Sequence, residues 1–450
     1  MTNSARKILY PVCTLLVALL ASLVADPLEA MDNPERVTVI RASRVITGTG
    51  EILTPGEVVI DEGKITLVGS QLDIPENARI IEATGQTLMA GMILARTQHG
   101  LKGLSRNGTN CDWSPMAQLV EDEMPWQDFL EAGFVAVALV PSGSGFPGHS
   151  VVIFTSPEST DRVIKDGAYL PLNGNSSTSL HSTISRSFDN ARGEIEKVDK
   201  AREKWEKEQE EAKKKADKED KKDGDEKKDD PKKDDPKKDD PKEDEPKEFK
   251  PPEMNASLVP LVKILQEQEG ALPIIFDVRT PGLVLHFDEA ISSVKELKER
   301  DPFDIFILPG ARNGAFHEVV ERLGERSATV LIPPRLSSLP DTYIRYSVPV
   351  ALSRAGCTII SLPLNDDAAS MRALPGMLSE LVRFGLSEED AIASVTLHPA
   401  KLLGIDDRMG TVEAGKEPHF VLFDTDPLVP GARVMKTIIG GKVVWDREDR

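Results

Sequence analysis

The sequence predicts an α/β protein whose middle contains a buried parallel sheet and whose two ends are small β units. In the middle, short continuous apolar runs alternate with helical patterns, for example at residues 134–140, 274–276 and 358–362. Runs of this kind are typical of strands buried on both faces of a parallel sheet. The chain has 450 residues, 40% of them hydrophobic, which is enough for more than one domain.

Both chain ends show the turn residues of β-hairpins. Asp61-Glu62-Gly63 separates two strand-like runs near the N-terminus, and Gly440-Gly441 separates two more near the C-terminus. Short turns of this composition between apolar runs are strong hairpin signals. The pattern is compatible with the two ends pairing into one small β-sandwich beside the central domain.

The charge balance excludes several classes of protein. The chain carries 55 basic and 74 acidic residues, a net charge of −19, whereas non-specific nucleic-acid affinity comes mainly from clustered Lys and Arg. We therefore expect no nucleic-acid partner. Three cysteines are too few for a disulfide scaffold, although a bond between Cys111 and Cys357 stays open. A mean hydropathy of −0.27 excludes a polytopic membrane protein.

A run of mixed charge interrupts the middle of the chain. Residues 194–250 hold 20 basic and 24 acidic residues and so contribute only −4 to the net charge. Residues 187–215 are predicted to continue as a charged helix. Residues 227–246 repeat Lys-Lys-Asp-Asp-Pro three times and end in Lys-Glu-Asp-Glu-Pro. Proline at every fifth position excludes a helix and no apolar residue is available to bury, so we predict a disordered spacer, with a cation-binding or partner-binding tether as the alternative.

Removing the charged insertion leaves a middle of barrel size. Residues 91–404 number 314, and subtracting the 59 residues of 194–252 leaves 255. A (β/α)8 barrel typically needs about 250 residues. The arithmetic is therefore compatible with a barrel.

The first 30 residues have the pattern of a signal peptide. Arg6 and Lys7 precede a mostly apolar run at residues 15–24, which is too short to span a bilayer, since a span needs about 20 residues. We expect an exported protein, periplasmic or extracellular, with no stable membrane span after cleavage. An uncleaved N-terminal anchor is the alternative.

Two stretches resemble a known family. Residues 81–93 read IEATGQTLMAGMI, and residues 396–416 contain TLHPAKLLGI followed by RMGTVEAGK. They are similar to the amidohydrolase superfamily of metal-dependent hydrolases, in its imidazolonepropionase-like branch. The resemblance implies a (β/α)8 TIM-type barrel plus a small composite β-sandwich made from the N- and C-terminal segments. It divides the chain into a signal peptide (1–30), a composite sandwich (31–90 and 405–450) and a barrel (91–404) that is interrupted by residues 194–252.

The resemblance also implies a metal site, but the ligand residues are not present. The family holds one or two divalent metals, often zinc, with a His-x-His on the first barrel strand, histidines on the fifth and sixth strands and an Asp on the eighth. The aligned positions here are Arg96, Gln98, Asp277, Pro309 and Leu364 or its neighbour Pro363. Arg has no lone pair for a metal, and its fixed charge about 4 Å from a divalent ion costs on the order of 8 kcal/mol at an effective dielectric of 20. We therefore expect no cofactor, with zinc or another divalent metal only if the site is rebuilt.

The sequence is compatible with two arrangements of the residues at and near the aligned metal-ligand positions. A rebuilt metal or catalytic site would use His99, His149 or Asp277, with Asp366 or Asp367 serving if the eighth strand end is shifted. Alternatively, Arg96 and Asp277 form an ion pair that fills the vacated position. In both cases the residues expected to line the pocket are Arg96, Gln98, His99, His149 and Asp277.

Three functions remain as hypotheses. The first is a non-catalytic or strongly divergent member of the superfamily, which binds a small-molecule or protein ligand. The second is an active but divergent hydrolase of C–N bonds in cyclic amides or peptide-like substrates. The third is an interaction scaffold that uses the Lys/Asp/Pro spacer. A homo-oligomer is compatible with all three.

Overall fold

The computed structural model describes residues 37–157, 161–174, 176–222, 248–292, 294, 305–309, 315–339 and 341–448. The predicted signal peptide and the pentad repeat lie outside the described residues. No helix in the described ranges combines the length and hydropathy of a membrane span.

The strands are numbered in chain order. They are β1 (Thr38–Ile46), β2 (Ile52–Leu53), β3 (Gly56–Asp61), β4 (Lys64–Gly69), β5 (Arg79–Ala90), β6 (Met92–Thr97), β7 (Gly108–Thr109), β8 (Phe134–Leu139), β9 (Gly145–Phe146), β10 (Val151–Phe154), β11 (Val163–Asp166), β12 (Leu170–Asn173), β13 (Ile274–Asp277), β14 (Ile305–Ile307), β15 (Thr329–Ile332), β16 (Ser337–Ser338), β17 (Arg345–Tyr346), β18 (Thr358–Ser361), β19 (Phe420–Phe423), β20 (Val434–Ile439) and β21 (Lys442–Asp446).

The α-helices are numbered in the same way. They are α1 (Trp126–Ala132), α2 (Ser177–Lys222), α3 (Val259–Leu265), α4 (Pro281–Ser292), α5 (Val320–Glu325), α6 (Val348–Arg354), α7 (Ala368–Arg383), α8 (Glu388–Ala393) and α9 (Leu397–Leu403). Helix α8 begins after Ser387, whose hydroxyl accepts a hydrogen bond from the backbone N–H of Asp390. Helix α9 begins at Leu397, so Pro399 is its third residue. Gly404 ends that helix in the left-handed conformation.

The two chain ends pair with each other, as the sequence predicts, and their strands form one sheet rather than two separate ones. Its strand order is β21-β20-β19-β5-β1-β3-β4, with β2 paired to β1. Strand β5 makes the join, because it runs parallel to β1 and antiparallel to β19. Ile40 from the N-terminal part and Phe420 from the C-terminal part are both fully buried in the same apolar core. Both predicted hairpins are present, with Gly63, Gly440 and Gly441 at positive φ.

The middle of the chain forms two sheets that meet to make the barrel. Their orders are β11-β10-β8-β6 and β18-β15-β14-β13-β12-β9-β7. On one side, the backbone N–H of Ser150 donates to the carbonyl of Tyr169 at 2.9 Å, just before β12. On the other side, Ser361 of β18 donates to the carbonyl of Ser394 at 2.9 Å and Ile93 of β6 donates to that of Val395 at 2.8 Å. Residues 394–395 therefore bridge the last and first strands.

The barrel strands are β6, β8, β10, β12, β13, β14, β15 and β18. The third of them departs from the all-parallel arrangement that the apolar runs predict, since β10 is antiparallel to β8. The connection between β8 and β10 spans only residues 140–150, which suits an antiparallel partner but is too short for a parallel crossover. The order still makes β13 the fifth strand and β14 the sixth.

Alternate side chains of the parallel strands face two different cores. Ile275, Ile307, Leu331 and Ile360 belong to the core inside the barrel. Their neighbours Phe276, Phe306, Val330 and Ile359 belong to a second core that contains residues of α2, α3 and α4. The period of two follows from the pleat of a strand. It places Asp277, two residues after Ile275, on the interior side of β13.

The charged helix is longer than predicted. It was expected to begin near Ser187, but α2 begins at Ser177 and extends to Lys222. The reason is an apolar stripe at Leu180, Ile184, Phe188 and Ala191, which is buried in the same core as residues of α3 and α4. That spacing is helical, and burial of the stripe stabilises the first turns. Cys111 and Cys357 are both buried and free.

Candidate functional site at the mouth of the barrel

Arg96 and Asp277 meet at the carboxyl ends of the first and fifth barrel strands. Nη2 of Arg96, near the end of β6, lies 3.7 Å from Oδ2 of Asp277, the last residue of β13. The Asp277 side chain is 5% exposed and the Arg96 side chain is 28% exposed. The ion pair that the sequence analysis set out as one of two alternatives is therefore present, at two of the aligned metal-ligand positions.

The Asp277 carboxylate accepts fewer hydrogen bonds from the described residues than a buried carboxylate usually does. Its Oδ1 is buried and has no hydrogen-bond partner among the described residues. Nε of Arg279 lies 4.0 Å from that oxygen, and the Arg279 side chain is 67% exposed. Both Arg–Asp distances exceed ordinary hydrogen-bond length, so the attraction is mainly that of charge. A buried carboxylate without donors is costly, which makes this group unusual in the structure.

Arg279 was not identified from the sequence. It lies two residues beyond β13, and side chains that follow a barrel strand line the mouth. That rule, applied to the predicted fifth strand, is the signal that could have found it.

Asp366 holds the end of the first strand. Its carboxylate accepts hydrogen bonds from the Thr97 hydroxyl, at 2.8 and 3.0 Å, and from the backbone N–H of Gln98 at 2.9 Å. Nε2 of His99 lies 3.3 Å from Oδ1 of Asp366, but the angle does not make a hydrogen bond. The His99 ring packs edge-on against Phe129, with 5.8 Å between ring centroids. Thus Asp366, His99 and the turn at Gln98 form one cluster.

Asp367 caps a helix, and no hydrogen bond among the described residues joins its side chain to the first strand. Its carboxylate accepts the backbone N–H of Ser370 at 2.7 Å and caps the N-terminus of α7. This hydrogen bond lowers the pKa of Asp367. Strand β18 ends at Ser361, so Pro363 and Leu364 follow it, and Asp366 is the acidic residue that contacts the first strand.

His149 is satisfied by neighbours outside the aligned ligand positions. Its Nδ1 lies 3.1 Å from the carbonyl of Cys111 and its Nε2 lies 2.8 Å from Oδ1 of Asp166. Pro309 is exposed just beyond β14 and offers no side-chain donor or acceptor. The structure therefore brings Arg96 to Asp277 and His99 to Asp366, and it gives His149 other partners.

A buried tyrosine supports the strand that carries Arg96. The Tyr169 hydroxyl donates to the carbonyl of Ala95 at 2.9 Å, and burial raises the pKa of Tyr169 while the charge of Arg96 opposes that rise. Tyr169 was not identified from the sequence, although a tyrosine at the start of an apolar run is a recognisable signal. Its contact fixes the backbone immediately before Arg96.

The residues at the mouth do not fit a zinc ion. Zinc sites need at least three nitrogen, sulfur or carboxylate ligands, and the described ranges contain no group of three His, Cys, Asp or Glu side chains with that arrangement. The guanidinium of Arg96 offers no lone pair and occupies the space beside Asp277.

Comparison with known proteins agrees with this architecture. The model of the amidohydrolase family matches residues 354–444. The fold is similar to an amidohydrolase from Thermotoga maritima, with a TM-score of 0.66 and 18% identity over 91% of this chain and 100% of that one. The imidazolonepropionase of Erwinia tasmaniensis is 38% identical over 81 residues. This chain is therefore similar to amidohydrolases in sequence over part of its length, and it shares their fold.

Sequence similarity to individual members of the superfamily is local. The Erwinia match covers 18% of each protein. The imidazolonepropionase of Phocaeicola vulgatus is 32% identical over 118 residues, which is 24% of this chain and 28% of that protein. The N-acetylglucosamine-6-phosphate deacetylase of Bos taurus is 42% identical over 65 residues, 14% of this chain and 15% of that protein. The chain thus aligns with less than a third of the length of these curated relatives.

Proposed function

We propose that this protein is a non-catalytic or strongly divergent amidohydrolase-superfamily member that binds a ligand at the barrel mouth. The observation that carries the proposal is the Arg96–Asp277 pair, 3.7 Å apart. Superfamily members hydrolyse C–N bonds with metal-activated water. Here a fixed cation takes the position of the first metal ligand.

Electrostatics support the proposal. A guanidinium about 4 Å from a divalent cation costs on the order of 8 kcal/mol at an effective dielectric of 20. The apparent binding energy of a structural zinc site is about 10–16 kcal/mol with a full ligand set. Asp277 alone supplies a small part of such a set, so repulsion by Arg96 outweighs the attraction that remains.

The proposal is tested by the metal content of the full-length protein. The protein is purified without chelator, and its zinc, iron, manganese and nickel are measured by elemental analysis before and after incubation with excess zinc and desalting. We expect on the order of 0.1 metal ion per chain or less, because a zinc site needs at least three ligands. About one tightly held ion per chain would overturn the proposal. A catalytically active imidazolonepropionase, taken through the same procedure, is the positive control.

A divergent hydrolase is the second candidate, and the observation that favours it is the proximity of His99 and Asp366. The 3.3 Å between Nε2 of His99 and Oδ1 of Asp366 is just longer than a hydrogen bond, and contacts between a base and its orienting carboxylate often shorten when substrate binds. A panel of cyclic amides and peptide-like amides tests this candidate. Turnover that is lost in both His99→Gln and Asp366→Asn would support it, and an inert wild type would count against it.

Export is proposed on the N-terminal sequence alone. Arg6, Lys7 and the apolar run at residues 15–24 support it. Expression of the full chain in a bacterial host, followed by N-terminal sequencing of the periplasmic fraction, should find a mature terminus near residue 25 to 30. Recovery only in the cytoplasm with the original terminus would contradict export.

A further inference from the structure

A cavity lies between the composite sheet and helix α8, away from the barrel mouth. The turn that joins β1 to β2 forms one wall, α8 forms another, and residues 426–428, which follow β19, also line it. Its volume is about 200 Å³. A Cβ added at Gly50 in the turn would lie 3.9 Å from Oε1 of Glu389 in α8, so the two walls come close together at this point. No lining residue belongs to the cluster around Asp277.

The inner surface of the cavity is mainly apolar. Four aliphatic side chains line it, namely Ile46, Ile52, Ile392 and Leu428. Ile392 belongs to the core inside the barrel, and Ile46 and Leu428 pack against that core. Ile52 is 47% exposed and therefore leaves the cavity open to solvent on its side. Because an apolar cavity of about 150 Å³ accepts a benzene ring, this one has room for an apolar body of that size.

The charged side chains around the cavity are mainly acidic. Glu51 from the turn and Glu388 and Glu389 from α8 line it and are exposed. Arg44 is the one basic side chain among the described residues of the lining, and it forms an ion pair with Asp426. The three glutamates have no ion pair with any described residue. One cation and four anions leave the lining with a net charge of −3.

The helix explains only part of this charge. Acidic residues in the first turn of a helix are stabilised by its dipole, which accounts for Glu388 and Glu389. Glu51 lies outside any helix, between β1 and β2, and it places a third negative charge at the same cavity. Like charges beside an apolar wall repel one another, and a bound cation would relieve that repulsion.

We infer that this cavity binds a small organic cation, a primary amine that carries an apolar ring or a branched chain. The apolar part packs against Ile46, Ile392 and Leu428. The ammonium group lies at the rim, beside the carboxylates of Glu51 and Glu389. An anion would be repelled by the net charge, and a metal ion would gain nothing from the aliphatic walls. This site shares no residue with the barrel mouth, so the inference goes beyond the proposed function.

Three small probes separate the contributions of the ring and the charge. Benzylamine has both at neutral pH, benzyl alcohol keeps the ring without the charge, and ethylamine keeps the charge without the ring. In a ligand-observed NMR titration of the full-length protein, benzylamine should bind about tenfold or more tightly than ethylamine, because less apolar surface of ethylamine is buried. It should bind about threefold or more tightly than benzyl alcohol, which is the effect of partly exposed ion pairs. Added salt should reduce this second difference, since exposed charges are screened.

Variants assign the two contributions to residues. Glu389→Gln should weaken benzylamine binding about threefold and leave benzyl alcohol binding unchanged. Glu321→Gln is the matched control, because Glu321 is also an exposed acidic residue in the first turn of a short helix, α5. Ile52→Trp should fill the cavity and abolish detectable binding of both compounds. Ile80→Trp, at a position of the same sheet that is 41% exposed and outside the cavity, should leave binding unchanged.

The outcomes that would overturn the inference are distinct. Equal affinity for benzylamine and benzyl alcohol would show a neutral apolar cavity. Equal weakening of benzylamine binding by Glu389→Gln and Glu321→Gln would show a general effect of charge. A dimer that sedimentation finds in wild type but not in Ile52→Trp, together with no binding of benzylamine, would make the cavity a contact between two copies of the chain. Metal content affects none of these results, so the proposed function is tested separately.

Discussion

Arg96 and Asp277 join the first and fifth strands of the barrel by charge alone, with 3.7 Å between Nη2 and Oδ2. Removing either residue leaves the other as an uncompensated charge. The cost is larger when Asp277 is the residue left unpaired, because it is nearly fully buried. We predict that Arg96→Gln destabilises the protein by about 1–3 kcal/mol, below the range for fully buried pairs because Arg96 is partly exposed. Urea denaturation measures the change.

A double-mutant cycle tests whether the effect belongs to the pair. Arg96→Gln combined with Asp277→Asn should recover about 1–2 kcal/mol relative to the sum of the single changes, because two neutral amides carry no unpaired charge. Arg433→Gln, which breaks a surface pair, should cost less than about 1 kcal/mol. Additive single effects at positions 96 and 277 would contradict the coupling.

Stability should fall in acid because of Glu417. The hydrogen bond from His419, at 3.0 Å, and the two from Arg408, at 2.8 and 3.1 Å, lower the pKa of Glu417 to about 2. A carboxylate whose pKa is lowered on folding stabilises the protein above its unfolded pKa, here the usual 4.5, and loses that contribution as the pH falls through 2. The contribution is on the order of 3 kcal/mol.

His419 adds to the acid sensitivity with the same sign. It is buried, Nε2 donates to Glu417, and Nδ1 accepts the backbone N–H of Gly440 at 3.2 Å, which is the neutral form. Burial lowers the pKa of His419, so loss of stability begins as the pH falls below about 6.5. Thermal unfolding between pH 7 and pH 3 should show a shallower slope for Glu417→Gln than for wild type. The exposed Glu76→Gln serves as control, and equal slopes for all three proteins would contradict the assignment.

Gly91 is required by a close approach between the composite sheet and the barrel. A Cβ at this position would lie 2.3 Å from Cγ1 of Val135 in β8. We predict that Gly91→Ala costs about 1–3 kcal/mol, as overpacking of a core does. Gly376→Ala is the opposite case, because Gly376 lies inside α7 with nothing near the added Cβ, and it should stabilise by about 0.5–1 kcal/mol. Denaturant midpoints of the two variants should therefore move in opposite directions.

The far part of α2 is held by an aromatic contact. The rings of Trp205 and Phe249 lie 5.7 Å apart, and the Arg202 guanidinium lies 5.5 Å from the Phe249 ring. Such contacts contribute about 0.5–1.5 kcal/mol each. Phe249→Ala should thus increase hydrogen exchange around residues 200–210 without changing the global melting temperature. Glu248→Ala is the neighbouring control, and unchanged exchange in Phe249→Ala would show that the contact does not stabilise the helix.

Much of the fold follows from local patterns in the sequence. The turns at Gly63 and at Gly440-Gly441, the cap at Ser387 and the buried strands at residues 274–277 and 358–361 depend on neighbouring residues, and the structure has them. The start of α2 was missed, because the stripe from Leu180 to Ala191 becomes informative only when the core that receives it is known. The orientation of β10 was also missed, since a continuous apolar run does not show strand direction.

The sequence by itself predicts that the ordinary metal site is lost, because arginine at position 96 offers no lone pair to a metal. It also suggested that Asp277 could face Arg96. Only the tertiary structure decided that Oδ1 of Asp277 has no hydrogen-bond partner among the described residues, that Arg279 lies beside it, and that Asp366 binds the Thr97–Gln98 turn. The physical reason is that these relationships join side chains up to 269 positions apart, at distances set by the closing of the barrel.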